Sequence, residues 1–329
     1  MSFADNKYHM PYTLIQSASF RLPGRNRLFI KREDTLPFSF GGNKVRIANA
    51  FYNDMLVKNK NLMIGYGNSR SNLCRALSHL CTSKNMPIWI VSPADDDGAC
   101  CNSFNRNLVI RFNTKIISCR KTEVAATIHQ TIYQAEKQGY APYYMNGDCY
   151  GRGNEATPVQ AYVDVYKEII QQAKAEARNY HYIFLATGTG MTHAGLICGR
   201  TMFHDRDFAP EIVGISIARP VDKARACIEN YVTAYMESNG APCNNQIRIN
   251  VADHSCGGYG RYNKEVEDII FTLLAKDGIA LDPVYTGKAF CGMLKYLKEQ
   301  KIEGCDILFI HTGSNPLFFD WLSTQNQLG

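Results

Sequence analysis

The chain has 329 residues, 45% of them apolar and 20% charged, with a net charge of +6. That length supports a well-buried core and points to two lobes. No apolar run nears the roughly 18 residues that span a bilayer, which excludes an integral membrane protein. Lysine and arginine are scattered among acidic residues rather than gathered into a strip for nucleic acid.

At the start of the chain, Met1–Lys7 lacks the basic-then-apolar order of a secretory signal, so a cytoplasmic location is expected. Short apolar runs then alternate with helical stretches and no internal repeat appears, the pattern of parallel sheets wound on both faces by helices. Arg27-Leu28-Phe29-Ile30-Lys31 reads as a strand. Asn43–Lys58 reads as a helix with Val45, Ile47, Ala48, Phe51, Met55 and Leu56 as its apolar face. Lys44, in Phe40-Gly41-Gly42-Asn43-Lys44-Val45-Arg46, therefore falls at a helix start, just past paired glycines. A compact series follows, with strands Leu62–Gly65, Ile88–Val91, Lys115–Ser118 and Pro142–Met145 separated by helices near Ser71–Ser83, Ser103–Ile110 and Glu123–Gln138. The adjacent Cys100 and Cys101 make a poor clasp for zinc and no C-x-x-C occurs. The twelve cysteines are read as reduced thiols, and no metal is expected.

Asn146–Asn154 has turn composition and marks a crossing into a second series. There, helices Thr157–Ala177, Thr192–Phe203, Asp222–Glu237, Lys264–Lys276 and Lys288–Lys298 alternate with strands Tyr182–Ala186, Ile212–Ser216, Ile247–Val251, Ala280–Val284 and Ile307–Ile310. The fold class read from this order is α/β, with two doubly wound parallel-sheet domains. A small domain, 49–154, interrupts a large discontinuous one, 1–48 plus 155–329. A ligand is expected between the lobes, at the carboxyl ends of the strands.

Lysine carries covalent chemistry only after losing its proton, which takes close packing and poor solvation; the glycines before Lys44 permit that approach. Ala186-Thr187-Gly188-Thr189-Gly190-Met191-Thr192 joins a strand to a helix, where outward N–H groups and the helix dipole suit a phosphate. A tight turn that merely needs glycine explains the same residues. With no Walker lysine and no acidic residue at the usual downstream spacing, a single-phosphate cofactor fits better than a dinucleotide. Ser71 and Asn72, past the exit of another strand, suit a substrate carboxylate, or serve only as a helix cap. Tyr285 and Thr286 follow a further apolar run, and Tyr259 has a face to cover a planar ligand. His311 reads as a core histidine satisfied by backbone, with Thr312 and Ser314 as polar partners for a bound ring.

Together these segments resemble the fold-type-II pyridoxal-phosphate enzymes of the D-cysteine desulfhydrase and aminocyclopropane-carboxylate deaminase family. Ile30–Asp34, Phe40–Arg46, Ser71-Asn72, Ala186–Gly195, Asp282–Ala289 and Leu308–Gly313 carry the resemblance. It implies pyridoxal 5'-phosphate as cofactor, joined by an imine to Lys44. It implies Thr187, Gly188, Thr189, Gly190, Met191 and Thr192 around the phosphate, with Asn72, Thr286 and Thr312 as further cofactor contacts. Asn43, Arg70, Ser71 and Asn72 would contact a small amino-acid substrate, and Lys44, Ser71, Tyr259 and Tyr285 would carry catalysis. The implied reaction is loss of a β-substituent to give a keto acid and ammonia, and the implied assembly is a homodimer. The sequence does not separate this elimination from β-replacement.

Three departures from the family pattern bear on the substrate. Thr286 stands where the deaminase branch carries a glutamate after its tyrosine, which looks like the desulfhydrase branch. Arg70-Ser71-Asn72-Leu73 stands where the family often has Gln-Ser-Asn-His, and His311-Thr312-Gly313-Ser314 where it has His-Thr-Gly-Gly. Arg70 would hold a second anionic group of the substrate, or is a surface arginine, since one helical position turns it about 100° from Ser71.

Overall fold

A computed structural model of the chain describes residues 10–68, 70–94, 103–203, 205, 207–241 and 247–325. Cys100 and Cys101 lie outside the described residues. In chain order the elements are β1 (Ile15–Ser17), β2 (Arg27–Lys31), α1 (Asn43–Val57), β3 (Leu62–Tyr66), α2 (Asn72–Ser83), β4 (Ile88–Pro93), α3 (Phe104–Arg111), β5 (Lys115–Cys119), α4 (Val124–Lys137) and β6 (Pro142–Tyr144). They continue with α5 (Ala156–Ala175), β7 (Tyr182–Thr187), α6 (Met191–Met202), β8 (Glu211–Ser216), α7 (Val221–Ser238), β9 (Asn250–Asp253), α8 (Lys264–Asp277), α9 (Thr286–Glu299), β10 (Asp306–Ile310) and α10 (Asn315–Gln325).

The chain divides into two compact units, one dominated by Lys44–Pro158 and the other by Pro11–Asn43 with the chain from Val159 onward. In the first unit four parallel strands pair in the order β5-β4-β3-β6. Every residue of β4 is buried, which is why Ile88-Trp89-Ile90-Val91 reads as a continuous apolar run instead of alternating. The second unit holds a six-stranded sheet in the order β1-β2-β10-β7-β8-β9, parallel throughout except for β1. Its core gathers Ile30, Phe184, Ile215 and Phe309 from the strands with Ile270, Phe290 and Trp321 from the helices. Phe290 meets Phe309 edge-on at 5.2 Å.

This unit also buries a charge network. The Lys31 ammonium is fully buried at the end of β2, where it donates to Glu168 on α5, to Gln172 Oε1 at 2.7 Å and to the Thr13 carbonyl at 2.8 Å. Glu33, also fully buried, accepts from the hydroxyls of Thr13 at 2.6 Å and Tyr162 at 2.9 Å. Lys31 is thus paired with an anion and Glu33 is hydrogen-bonded, as burial requires.

The structure differs from the sequence reading at five elements. Ala280–Val284 is not a strand, because the Asp282 side chain takes up the backbone N–H groups that would have joined a ladder. Helix α9 begins at Thr286, two residues before Lys288. Strand β9 begins at Asn250 instead of Ile247. Neither the three-residue β1 nor α10 was foreseen. No helix among the described residues is long and apolar enough to cross a membrane, and the described cysteines are free thiols.

Candidate active site

Strands β2, β7, β8, β9 and β10 run parallel, so the segments that follow them leave from one edge of the sheet. After β2 the backbone winds left-handed through four successive residues, Ser39, Phe40, Gly41 and Gly42, at φ +46°, +59°, +66° and +97°. The Gly42 N–H donates to the Glu33 carbonyl at 2.7 Å, which anchors this turn to the end of the Lys31–Asp34 segment. A Cβ on Gly42 would lie 2.9 Å from the Thr312 carbonyl oxygen, and one on Gly313 only 2.4 Å from Gly42 Cα. Glycine at both positions lets the loops after β2 and β10 touch backbone to backbone. Asn43 then donates its N–H to the Thr312 carbonyl at 3.0 Å and its Nδ2 to Thr192 Oγ1 at 2.9 Å. Lys44 follows on the first turn of α1. Part of its side chain stays accessible, but loss of hydration pushes its ammonium down to about 8.

Thr192 is the second residue of α6, just past the turn that follows β7. Gly190 caps the helix at φ +97° with no side-chain cap, and no acidic residue lies in the first turn. Among the described residues, no hydrogen bond is made by the backbone N–H groups of Gly188, Thr189, Gly190, Met191 or Thr192. Those are the orphan donors of a helix start, and they suit an anion. Thr189 is exposed, whereas the Met191 side chain is buried, so Met191 offers only its N–H. Arg219 Nη1 donates to the Gly188 carbonyl at 2.9 Å. Because a trans peptide sets C=O and N–H opposite, this bond turns the Thr189 N–H the other way.

Two threonines expected at the cofactor are engaged elsewhere. The Thr187 hydroxyl lies 3.3 Å from His193 Nδ1 in the core, where burial pushes His193 down to about 3 and keeps it neutral. The Thr286 hydroxyl accepts from the Asp282 N–H and donates to Asp282 Oδ2, both at 2.8 Å, and is fully buried. Asp282 also accepts from the N–H groups of Val284 at 2.8 Å, Tyr285 at 2.7 Å and Thr286 at 3.0 Å. This closed box shapes the turn that presents Tyr285. Burial raises Asp282 above its ordinary value, with those donors opposing the shift. The Tyr285 hydroxyl meets that of Tyr259 at 3.0 Å, with the rings edge-on. Burial first, and then Tyr259, raise Tyr285 well above 10. His311 is satisfied by backbone, as read from the sequence, with Nε2 at 3.0 Å from the Ala280 carbonyl and Nδ1 accepting from Gly313 at 3.2 Å.

Ser71, Asn72 and Arg70 lie in the first unit, past β3. Ser71 caps α2, its Oγ accepting from the Cys74 N–H at 3.2 Å. Asn105, fully buried near the start of α3, donates through Nδ2 to the Arg70 carbonyl at 2.9 Å and to Asn72 Oδ1 at 3.0 Å. One buried amide therefore sets both the Arg70 backbone and the Asn72 side chain.

A family model described as pyridoxal-phosphate dependent enzyme matches residues 9–313. The chain belongs to that family. Solved structures agree on the fold. One titled an ACC deaminase homologue is 26% identical, covers 97% of this chain and 95% of its own, and superposes with a TM-score of 0.81. A hydrogen sulfide-producing enzyme from Fusobacterium nucleatum is 18% identical over 93% of this chain and 97% of its own, with a TM-score of 0.62. An O-ureido-L-serine synthase is 15% identical over 94% and 96%, with a TM-score of 0.65. These last two bear on fold alone. The family is pyridoxal-phosphate dependent, and the residues present fit that cofactor: the N–H groups free of acceptors at Gly188–Thr192 suit its phosphate, and Lys44 has an amine near neutrality.

Sequence reasoning assigned no task to Asp282, Asn105, Arg219 or Lys288. Asp282 had a readable signal, an aspartate before a proline with a threonine four residues on, the composition of an Asx turn. The others had none, because an arginine, lysine or asparagine in a helix or loop looks the same whether it faces solvent or holds a backbone.

Proposed function

We propose that the chain is a lyase that uses pyridoxal phosphate to remove a β-substituent, sulfur by preference, from a small amino acid such as cysteine. The mounting of Lys44 carries this reading. A lysine already pushed toward neutrality follows directly on Asn43, whose side chain is tied to the helix turn bearing the acceptor-free N–H groups. When bound, pyridoxal phosphate supplies a conjugated ring that takes up the electron pair released at Cα.

Lys44 would hold the cofactor covalently and, as a free amine, would accept the Cα proton. The N–H groups of Gly188–Thr192 would hold the phosphate together with the helix dipole. Thr189 adds a hydroxyl there, while Thr187 and Thr286 serve by shaping the two turns. Ser71 accepts from Cys74 and keeps its own hydrogen to donate to the substrate carboxylate. Asn72 and Thr312 would serve the cofactor, and Asn43 and Arg70 would serve the substrate. Tyr285 stays protonated through the working pH range and, with Tyr259, delivers a proton to the leaving group. Cysteine and one water then give pyruvate, ammonia and hydrogen sulfide.

Similarity to the ACC deaminase homologue supports the wider group that holds both the deaminase and the desulfhydrase branches. Thr286, where a glutamate would mark the deaminases, favours sulfur elimination over ring opening. The test is a panel of D- and L-amino acids carrying thiol, sulfonate, chloride or phosphate on Cβ, with 1-aminocyclopropane-1-carboxylate added, scored for keto acid and ammonia. One cysteine enantiomer should give pyruvate without an added nucleophile. Product that needs a thiol or amine acceptor would instead make the chain a β-replacement synthase, and cyclopropane turnover would make it a deaminase. A Lys44 peptide with no pyridoxyl adduct after borohydride treatment would overturn the reading.

A further inference from the structure

Lys288 is fully buried on the first turn of α9, three residues past Tyr285. Its ammonium has three hydrogens, and they go to three backbone carbonyls: Ile217 at 2.9 Å, Ser255 at 2.8 Å and Gly258 at 2.8 Å. Ile217 immediately follows β8, while Ser255 and Gly258 lie in the segment after β9 that carries Tyr259. No carboxylate is hydrogen-bonded to this amine among the described residues. Burying a lysine costs free energy that neutral carbonyls offset only in part. A methionine of similar length would fill the space without that cost, so the charge itself calls for an explanation.

The segment it holds has an unusual backbone, with the Ser255 N–H donating to Asp253 Oδ1 at 3.3 Å at its start. Gly257 and Gly258 have φ of +84° and +129°, Cys256 sits at +51°, and Tyr259 is 41% exposed. Within the segment the backbone bonds are Gly258 to Ser255 at 3.0 Å and Arg261 to Gly258 at 3.4 Å. Tyr285 needs no such help, because the Asp282 box fixes it. The two phenols nevertheless meet at 3.0 Å.

We propose that Lys288 is the positioning residue of the tyrosine pair: its ammonium clamps the Ser255–Gly258 backbone so that the Tyr259 hydroxyl meets that of Tyr285. Lys288 does not itself touch substrate or cofactor. The inference rests on the reading above only in giving the pair a task; the clamp is testable without that task.

The experiment compares Lys288→Met with the parent, in the wild-type and Tyr259→Phe backgrounds, as cofactor-loaded proteins. Amide hydrogen exchange over 255–260 should speed up about tenfold or more in Lys288→Met, with exchange over 188–192 unchanged. For cysteine elimination, Lys288→Met and Tyr259→Phe should lower kcat by similar factors with KM little changed, and the double variant should be scarcely slower than either single one. A general structural role would instead multiply the two losses. Equal exchange over 255–260, or fully multiplicative losses in kcat, would overturn the proposal. If elimination activity proves absent, the proposed function fails and hydrogen exchange alone decides the clamp. Should Lys288→Met not fold, Lys288→Gln, which removes the charge and keeps at most two donors, enters the same comparisons, with the same outcomes overturning the proposal.

Discussion

At Lys44 the lowered pKa has a definite sign. The folded protein penalises the ammonium, so this group weakens folding at pH below about 8, and the penalty fades as pH rises from there toward the ordinary 10.5. The reactive free amine grows over the same lower part of that range. Covalent capture of pyridoxal phosphate by cofactor-stripped protein should therefore accelerate with pH through a midpoint near 8 rather than near 10.5, read by stopped-flow absorbance. Lys44→Met should abolish covalent capture and lower turnover by roughly 10³-fold or more. The same variant should melt at a higher temperature than cofactor-stripped wild type at pH 7, because the buried charge is gone; calorimetry on the two apo-proteins checks this. Lys44 stood out in the sequence through the paired glycines before it. The charge of Lys288 did not, since only the fold brings Ile217, Ser255 and Gly258 around it.

Among the elements, the turn before α9 departs most from its sequence. Leu281, Pro283 and Val284 look like a strand edge, yet Asp282 bonds to three N–H groups and one hydroxyl and curls the chain into the helix. Local side-chain bonding of this kind competes directly with ladder formation. An asparagine there would offer one oxygen where the carboxylate uses two, and would set an amide donor against donors already present. Asp282→Asn should cost about 2 kcal/mol of stability or more, measured by urea unfolding. It should also loosen the Tyr285 backbone, visible as faster amide exchange over 283–286. The paired central strands were readable because full burial leaves a plain apolar signature. The three-residue β1 was hidden because so short a segment carries no period.

For the molecule as a whole, the alternating order of strands and helices was enough to give two wound parallel sheets, and the family match supports that architecture. Sequence does not encode which buried charges meet. Lys31 and Glu168 lie 137 positions apart, yet both are almost wholly buried and bonded to each other. Glu168→Gln would remove the anion bonded to the buried Lys31 ammonium, and should destabilise the protein by about 3 kcal/mol. Urea unfolding followed by tryptophan and far-ultraviolet signals would measure it. The candidate site divides the same way: its lysine and glycine turn could be read from residue order, whereas its supports, Asn105, Asp282 and Lys288, exist only in three dimensions.

The left-handed stretch from Ser39 to Gly42 has a consequence for how the protein acquires its cofactor. Ser39 and Phe40 share with two glycines a left-handed backbone region that side chains avoid, and bonds within the chain, Gly41 to Phe38 and Gly42 to Glu33, hold the turn there. If Lys44 takes the cofactor as proposed, loading would require little ordering of this turn. The near-ultraviolet dichroism of the aromatic core should accordingly stay the same when pyridoxal phosphate is stripped and restored.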